Sequence, residues 1–372
     1  MRNLPFLTLQ MYYRYLRLSG CEYANVTGCL RHQFCVDLLF MKHTKHISIV
    51  VPAGDAILSS IIGPYKTFST ANAYMMQTGR ATVPPFTIQF VGVSDETRLY
   101  DGVFNVKPNA IIDSVKKTDL IIIPALNVDF GLEVARNAPF IPWITEQYTQ
   151  GAEVASLCTG AFVLASTGLL DGKKCTTHWL AADSFRHIFP KAHLMTERIV
   201  TDEKGIYTSG GAYSFLNLML YLIEKYAGRE VAIYVSKVLE VDIDRKSQLT
   251  FVIFDKQKNH QDDLVKEAQH FIENNFTDKI TIEQLSDKFA ISRRNFERRF
   301  KKASGNSPVE YIQRVKIEAA KKSLESTREN INEVMYAVGY SDSKAFRTVF
   351  KKHTGLSPTE YKLKYNREMA MA

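Results

Sequence analysis

Two stretches of this chain, fifty residues apart, agree at nine of sixteen positions: FERRFKKASGNSPVEY from Phe296 and FRTVFKKHTGLSPTEY from Phe346. The shared pairs are Phe296/Phe346, Phe300/Phe350, Lys301/Lys351, Lys302/Lys352, Gly305/Gly355, Ser307/Ser357, Pro308/Pro358, Glu310/Glu360 and Tyr311/Tyr361. A repeat of this kind is one structural unit built twice. The phenylalanines fall four apart and share one helical face. A shorter helical pattern precedes each pair. TIEQLSDKF carries Leu285 and Phe289 on one face behind a Thr281 N-cap, and INEVMYAVG carries Ile331, Val334 and Val338. Ser292 stands where it can cap the second helix of the first unit. Ile282 pairs with Ile331 but Phe296 with Phe346, so the second turn is one residue longer. VEYIQRVKIEAAKKSLES, between the units, reads as one continuous helix that fixes their separation.

With the phenylalanines inward, Arg294, Glu297, Arg298 and Lys301 face outward in the first unit, and Ser343, Lys344, Arg347 and Lys351 in the second. Residues 293–302 hold six basic side chains against one acid, Glu297. From Asp263 onward there are 21 Lys/Arg and 15 Asp/Glu, so this end holds six of the chain's net +8. A basic end of this kind points to a polyanionic partner. Arginine on the N-terminal half of an outward helix suits a major groove, where it grips guanine through two hydrogen bonds, while flanking lysines hold phosphates. For one copy alone, the solvated face of a helical bundle is an equal alternative; a second copy with the same plan argues against it.

The last 110 residues or so resemble the AraC/XylS-family DNA-binding domain, and INEVMYAVGYSDSKAFRTVFKKHTGLSPTEYK follows that family's C-terminal signature. The resemblance implies an all-α domain with two helix-turn-helix units that put one recognition helix each into successive major grooves. Carried over by position, Arg294, Glu297 and Arg298 face bases in the first unit and Ser343, Lys344 and Arg347 in the second.

The preceding half has a different grain. HISIVVPA, FTIQFVGV, DLIIIPAL and VASLC are short, nearly all-apolar runs, as strands buried on both faces should be. Helical patterns such as SSIIGPYKTFSTANAYMMQTG separate them, which indicates a parallel α/β sheet. GAYSFLNLMLYLIEKYAG is a strongly apolar helix ended by Gly228. The expected division is an α/β domain over 45–253, a linker over 254–262 and the helical domain over 263–372. Residues 1–44 lack a core-forming pattern, and the text changes character at Met41. They are expected to be a disordered extension or upstream sequence translated from the wrong start. The five cysteines (Cys21, Cys29, Cys35, Cys158, Cys175) form no CxxC pair, so neither a disulfide framework nor a zinc site is suggested and a reducing cytoplasm fits. No run approaches the roughly 20 apolar residues that span a bilayer.

EVASLCTGAFVLASTGLLDGKKCTTHW runs an apolar strand into Cys158 and opens a helix at Thr159-Gly160-Ala161. A cysteine at such an elbow sits beside free backbone N–H groups and a helix N-terminus, which lower a thiol pKa and can hold an oxyanion. His178, in TTHW, is its candidate partner. With IIGPYKTF and YTSGGAYSFLNLMLYLIEKYAGREVA, this stretch resembles the ThiJ/PfpI domain, a flavodoxin-like branch of the class I glutamine-amidotransferase-like fold. The joined architecture resembles the GlxA family of AraC-type regulators.

One departure bears on catalysis. Isocyanide-hydratase-like relatives carry an acid three places before the Gly-Pro, where this chain has Ser60, and Asp55 sits on the loop after the strand, a poor substitute. Asn217 stands where these regulators often have Asp. Cys158 and His178 are therefore read as vestiges of a catalytic pair, with no working catalytic residue. Cys158, Thr159, Gly160 and His178 are read as an effector pocket, whose thiol could also sense oxidants. The expectation is a cytoplasmic, sequence-specific transcription regulator rather than an enzyme. Its expected partners are double-stranded DNA at a promoter operator, a small-molecule effector, RNA polymerase and a second copy in a homodimer. No membrane, metal or cofactor is expected. The rivals are a Cys-dependent hydrolase or isocyanide-hydratase-like enzyme carrying a DNA-binding module, and a nucleic-acid-binding protein without sequence preference.

Overall fold

The computed structural model describes residues 44–127, 130–254, 257–258 and 260–366. Residues 1–43, with Cys21, Cys29, Cys35 and Met41, lie outside the described residues, as do 255, 256 and 259 of the linker. The first half is built from β1 (Lys45–Val50), α1 (Leu58–Gln77), β2 (Phe86–Gly92), the ribbon β3 (Thr97–Leu99) and β4 (Phe104–Val106), β5 (Ala110–Ile111) and β6 (Leu120–Ile123). There follow α2 (Phe130–Arg136), α3 (Phe140–Thr149), β7 (Glu153–Ser156), α4 (Ala161–Ser166), β8 (Lys174–Cys175), α5 (Ala182–Ile188) and β9 (His193–Leu194). It closes with β10 (Val200–Glu203), β11 (Ile206–Ser209), α6 (Phe215–Ala227) and α7 (Arg229–Val238).

Seven strands form one sheet in the order β10-β11-β7-β6-β1-β2-β5. The four apolar runs picked out in the sequence are β1, β2, β6 and β7, all parallel. Their apolar character follows from double burial. In β6, Leu120 and Ile122 join the core shared with α1, α6 and α7, while Ile121 and Ile123 join the opposite core with α3, α4 and α5. The sheet departs from the purely parallel expectation at one edge, where β10 runs antiparallel to β11. VTDE and IYTS are short and partly polar, so their sequence carries no buried-strand signal. Tyr207 of β11 donates to Glu153 at 2.5 Å, Tyr226 donates to the same carboxylate at 2.6 Å, and Lys225 reaches Tyr207 and Asp202 at 2.8 and 3.0 Å. That network ties β11 and α6 to the start of β7.

The second half is all helix: α8 (Asp263–Asn274), α9 (Ile282–Lys288), α10 (Arg293–Ser304), α11 (Pro308–Ser326), α12 (Ile331–Ala337), α13 (Ser343–Thr354) and α14 (Pro358–Tyr365). The repeated residues do the same job twice. Gly305 and Gly355 end α10 and α13 in left-handed backbone, as helix C-caps require. Ser307 with Glu310, and Ser357 with Glu360, form capping boxes behind a proline in the first turn of α11 and α14. Tyr311 and Tyr361 pack edge-on to Phe300 and Phe350 and bond Glu273 and Glu325 at 2.7 and 2.5 Å. Thr281 caps α9 in a full capping box, while Ser292 stands at the α10 N-cap without a side-chain bond.

Four residues separate α9 from α10, and five separate α12 from α13, the extra residue expected. In the longer turn Gly339 has φ +74°, and a Cβ there would run into the Thr277 carbonyl oxygen. Gly339→Ala should cost more than the ~1–2 kcal/mol that left-handed backbone alone imposes on an L side chain. The urea midpoint of the helical domain reads this loss; an unmoved midpoint would show that the turn relaxes freely.

Candidate functional site

Two regions gather the residues singled out in the sequence. The first is the elbow after β7. Cys158 has φ +54°, a strained value for a residue with a side chain, and opens a short 3-10 turn (Cys158–Gly160) that continues into α4. Close packing imposes the bend. Gly160 sits against the carbonyls of Ile123 and Pro124 where no Cβ would fit. The Thr159 hydroxyl accepts the Leu126 N–H at 2.9 Å and donates to its carbonyl at 2.6 Å. Thr159 and Gly160 are thus buried and committed to the loop after β6, while Cys158 and His178 flank the Gly211–Ala212 turn.

The elbow does not produce the activated thiol that its geometry suggests in sequence. Cys158 is 6% exposed, and burial pushes its thiol up, although the backbone N–H groups of Ala212 and Thr159 pull the other way. Desolvation wins because the turn that brings the N–H groups also closes over the sulfur. Cys175, fully buried in β8, is pushed up to about 12.

His178 is no better placed as a base. Its ring lies against Gly211, and its Nδ1 accepts the Leu180 N–H at 3.1 Å as the cap of the following turn. With Nδ1 so occupied, the neutral ring carries its proton on Nε2 and has no free lone pair there to take one from a thiol. Burial lowers its pKa, which keeps it neutral near pH 7. Ser60, in the position of the missing acid, accepts the Ala125 N–H at 2.9 Å and donates to the Ile57 carbonyl at 2.6 Å. Asp55 accepts the Tyr100 N–H at 3.2 Å, and Asn217 donates to the Asp242 carbonyl at 2.6 Å. Each of these polar groups holds backbone.

The second region is the outer surface of α10 and α13. Phe296, Phe300, Phe346 and Phe350 are fully buried, which turns the opposite faces outward. Arg294, Arg298, Lys301, Ser343, Lys344, Arg347 and Lys351 are exposed, and Glu297 is half-buried. Arg293, absent from the sequence-based set, bonds Glu283 on α9 and reaches Glu297 at 3.2 Å. Glu297 is therefore paired within the unit, and Arg298 rests on Asn295 at 2.8 Å. The Arg293–Glu283 pair crosses between helices, which periodicity along one helix does not reveal. Asp342 caps α13 through the N–H groups of Lys344 and Ala345, at 2.7 and 3.0 Å.

The elevated thiol sets a testable sign. Labelling of Cys158 by iodoacetamide should be slow at pH 7 and keep climbing above pH 9, because the thiolate forms only past the ordinary thiol range. Peptide mass mapping across pH measures it. A plateau between pH 5 and 7 would mean that an activated thiolate exists after all.

Among the described residues no group of His, Cys, Asp and Glu side chains could hold a metal, and no helix is long and apolar enough to cross a membrane. Residues 285–364 match the helix-turn-helix domain family, and residues 70–225 match the DJ-1/PfpI family. The HTH-type transcriptional regulator GbdR of Pseudomonas aeruginosa is 25% identical over 274 residues, which cover 70% of this chain and 70% of that protein. The HTH-type transcriptional regulator GlxA of Rhizobium meliloti is 27% identical over 215 residues, covering 56% of this chain and 64% of that protein. Drosophila melanogaster DJ-1beta is similar over 53% of this chain and 100% of its own, at 18% identity and a TM-score of 0.44.

Proposed function

Because this chain joins a DJ-1/PfpI domain to an AraC-type helix-turn-helix domain, as a DNA-binding transcription regulator, we propose that it reads a defined operator with α10 and α13 while its α/β domain binds a small-molecule effector. The observation that carries this reading is the pair of outward basic helices on one rigid support. α11 holds Tyr311, Ile312 and Val315 in the first unit's core and Ile317, Ala320 and Leu324 in the second's. Arg294 and Arg298, with Lys344 and Arg347, take the base edges. Lys301 and Lys351 take phosphates, Ser343 faces a base from the first turn of its helix, and Glu297 orients Arg293 or accepts from a cytosine.

In the α/β domain, Cys158 and His178 are pocket walls and not a catalytic pair. The raised thiol, the occupied Nδ1 and the commitment of Ser60 to backbone support that reading. The protein acts in the cytoplasm as a homodimer and addresses RNA polymerase from its operator. The α/β domain spans 45–253 and the DNA-binding domain 263–372.

The test starts from a duplex selected by the full chain out of a random pool. Arg298→Ala and Arg347→Ala should each weaken binding to that duplex by about 1–3 kcal/mol, with far smaller losses on scrambled DNA. Lys301→Ala should weaken both alike and reduce the slope of log affinity against log salt by about one. Equal losses on selected and scrambled DNA for the arginine variants would remove the base-reading role.

A further inference from the structure

Residues 247–254 lie against both domains. Gln248, at their start, is 1% exposed. Its Oε1 accepts the Gly211 N–H at 3.0 Å, and its Nε2 donates to the carbonyls of Thr196 at 2.6 Å and Thr177 at 3.1 Å. Its own N–H donates to the Glu197 carbonyl at 3.0 Å, and Ser247 bridges to Arg198. A Cβ on Gly210 would collide with the carboxamide, so the glycine leaves the room that Gln248 fills. These partners are the walls of the elbow. The Thr177 hydroxyl donates to the Cys158 carbonyl at 2.9 Å, the His178 ring lies on Gly211, and the next N–H, of Ala212, meets the Cys158 sulfur.

The residues that follow turn to the helical domain. Leu249 and Thr250 lie beside the C-cap of α13, where a Cβ on Gly355 would meet them, and Tyr365 donates to the Thr250 carbonyl at 3.1 Å. Arg245 and Lys364 place their cations over the Phe251 ring, at 4.4 and 5.2 Å. Lys321 donates to the Val252 carbonyl at 2.7 Å, and Phe254 packs edge-on to Tyr311 in the first unit's core. A second thread runs parallel. Asp183 of α5, close behind His178, accepts from Gln257 at 2.5 Å, and Gln257 accepts in turn from Asn306, just past α10.

We infer that residues 247–254 are a coupling strap, in which Gln248 positions the recognition helix α13 and its support α11 according to the state of the elbow's Thr176–His178 and Gly210–Gly211 walls. The inference rests on the α/β domain being the effector domain and names how that domain is heard. A ligand that moves either wall must take hydrogen bonds from Gln248. The buried carboxamide then shifts the strap, and with it the end of α13. The exposed Arg294, Arg298, Lys344 and Arg347 stay clear of these contacts, so the strap orients the reading surface without covering it. Linkage makes the coupling reciprocal: DNA bound at the helices must be felt at the elbow.

Hydrogen exchange of the full chain, read by mass spectrometry, tests this in wild type, Gln248→Ala and Tyr365→Phe, with and without the selected duplex. Gln248→Ala should speed exchange about fivefold or more in residues 174–180 and 208–213 and also in 350–365, with α3 unchanged. Tyr365→Phe loosens the strap from the opposite end and should speed exchange at 208–213 as well. A rise confined to the mutated end in both variants overturns the coupling. The duplex should slow exchange at 208–213 in wild type and not in Gln248→Ala; equal slowing in both also overturns it. Should wild type select no duplex, the regulator reading falls, while the arms without DNA still decide the strap. If Gln248→Ala fails to fold, Gln248→Asn and Tyr365→Phe carry the same comparison.

Discussion

Helix α11 is the member on which the DNA-binding half depends, because it belongs to two cores at once. Its nineteen residues span about 28 Å at 1.5 Å per residue, comparable with the ~34 Å turn that separates adjacent major-groove faces. In folded proteins most helical stability comes from packing of the buried face rather than from propensity. Here the buried face leaves it no freedom to fray or rotate. Lys316 adds a polar bolt at the junction: it is 7% exposed and donates to the Gly339 carbonyl at 3.0 Å and toward the Asp278 carbonyl at 3.4 Å. Burial lowers its pKa, but two carbonyl oxygens satisfy the ammonium where an apolar residue could not. The two units are thereby joined through one helix and the buried Lys316 on it.

Much of this was legible in the sequence because the informative interactions are local or periodic. Phenylalanines four apart, a Ser-Pro-x-Glu N-terminus and a terminal glycine are read within one or two helical turns, and the one-residue difference between the turns followed from alignment alone. The four parallel strands were legible because burial on both faces leaves an unbroken apolar run. β10 and β11 were not: VTDE at the edge is mostly polar, and IYTS, though buried, carries threonine and serine in place of an unbroken apolar run. Gln248 was equally invisible. It is one polar residue in a polar stretch, and its partners at 177, 196 and 211 come together only in the folded chain.

The elbow shows where a motif outruns its chemistry. Strand, cysteine, threonine and glycine do produce the sharp bend and do aim backbone N–H groups at the sulfur. The sign of the thiol's shift is set by how much water reaches it, which no short stretch encodes. The partner histidine is lost for a similar reason: its lone pair is taken by a backbone N–H two residues on. What survives is a stiff, strained corner with φ +54° at Cys158 facing φ +47° at Ala212. Such corners have few ways to relax, so small displacements there are passed on rather than absorbed.

The two helix-turn-helix units share their phenylalanine pair and the outward lysines Lys301 and Lys351, and differ at the outward positions before them. Arg294, Glu297 and Arg298 of the first correspond in the repeat to Lys344, Arg347 and Thr348 of the second. A duplicated unit with identical faces would meet the same bases twice and could not tell which copy lay upstream. Divergent faces on an unchanging frame remove that ambiguity. A single chain carries its own arrow: under the base reading proposed above, the polarity with which it sits on DNA is written into the outward side chains that differ between its two units.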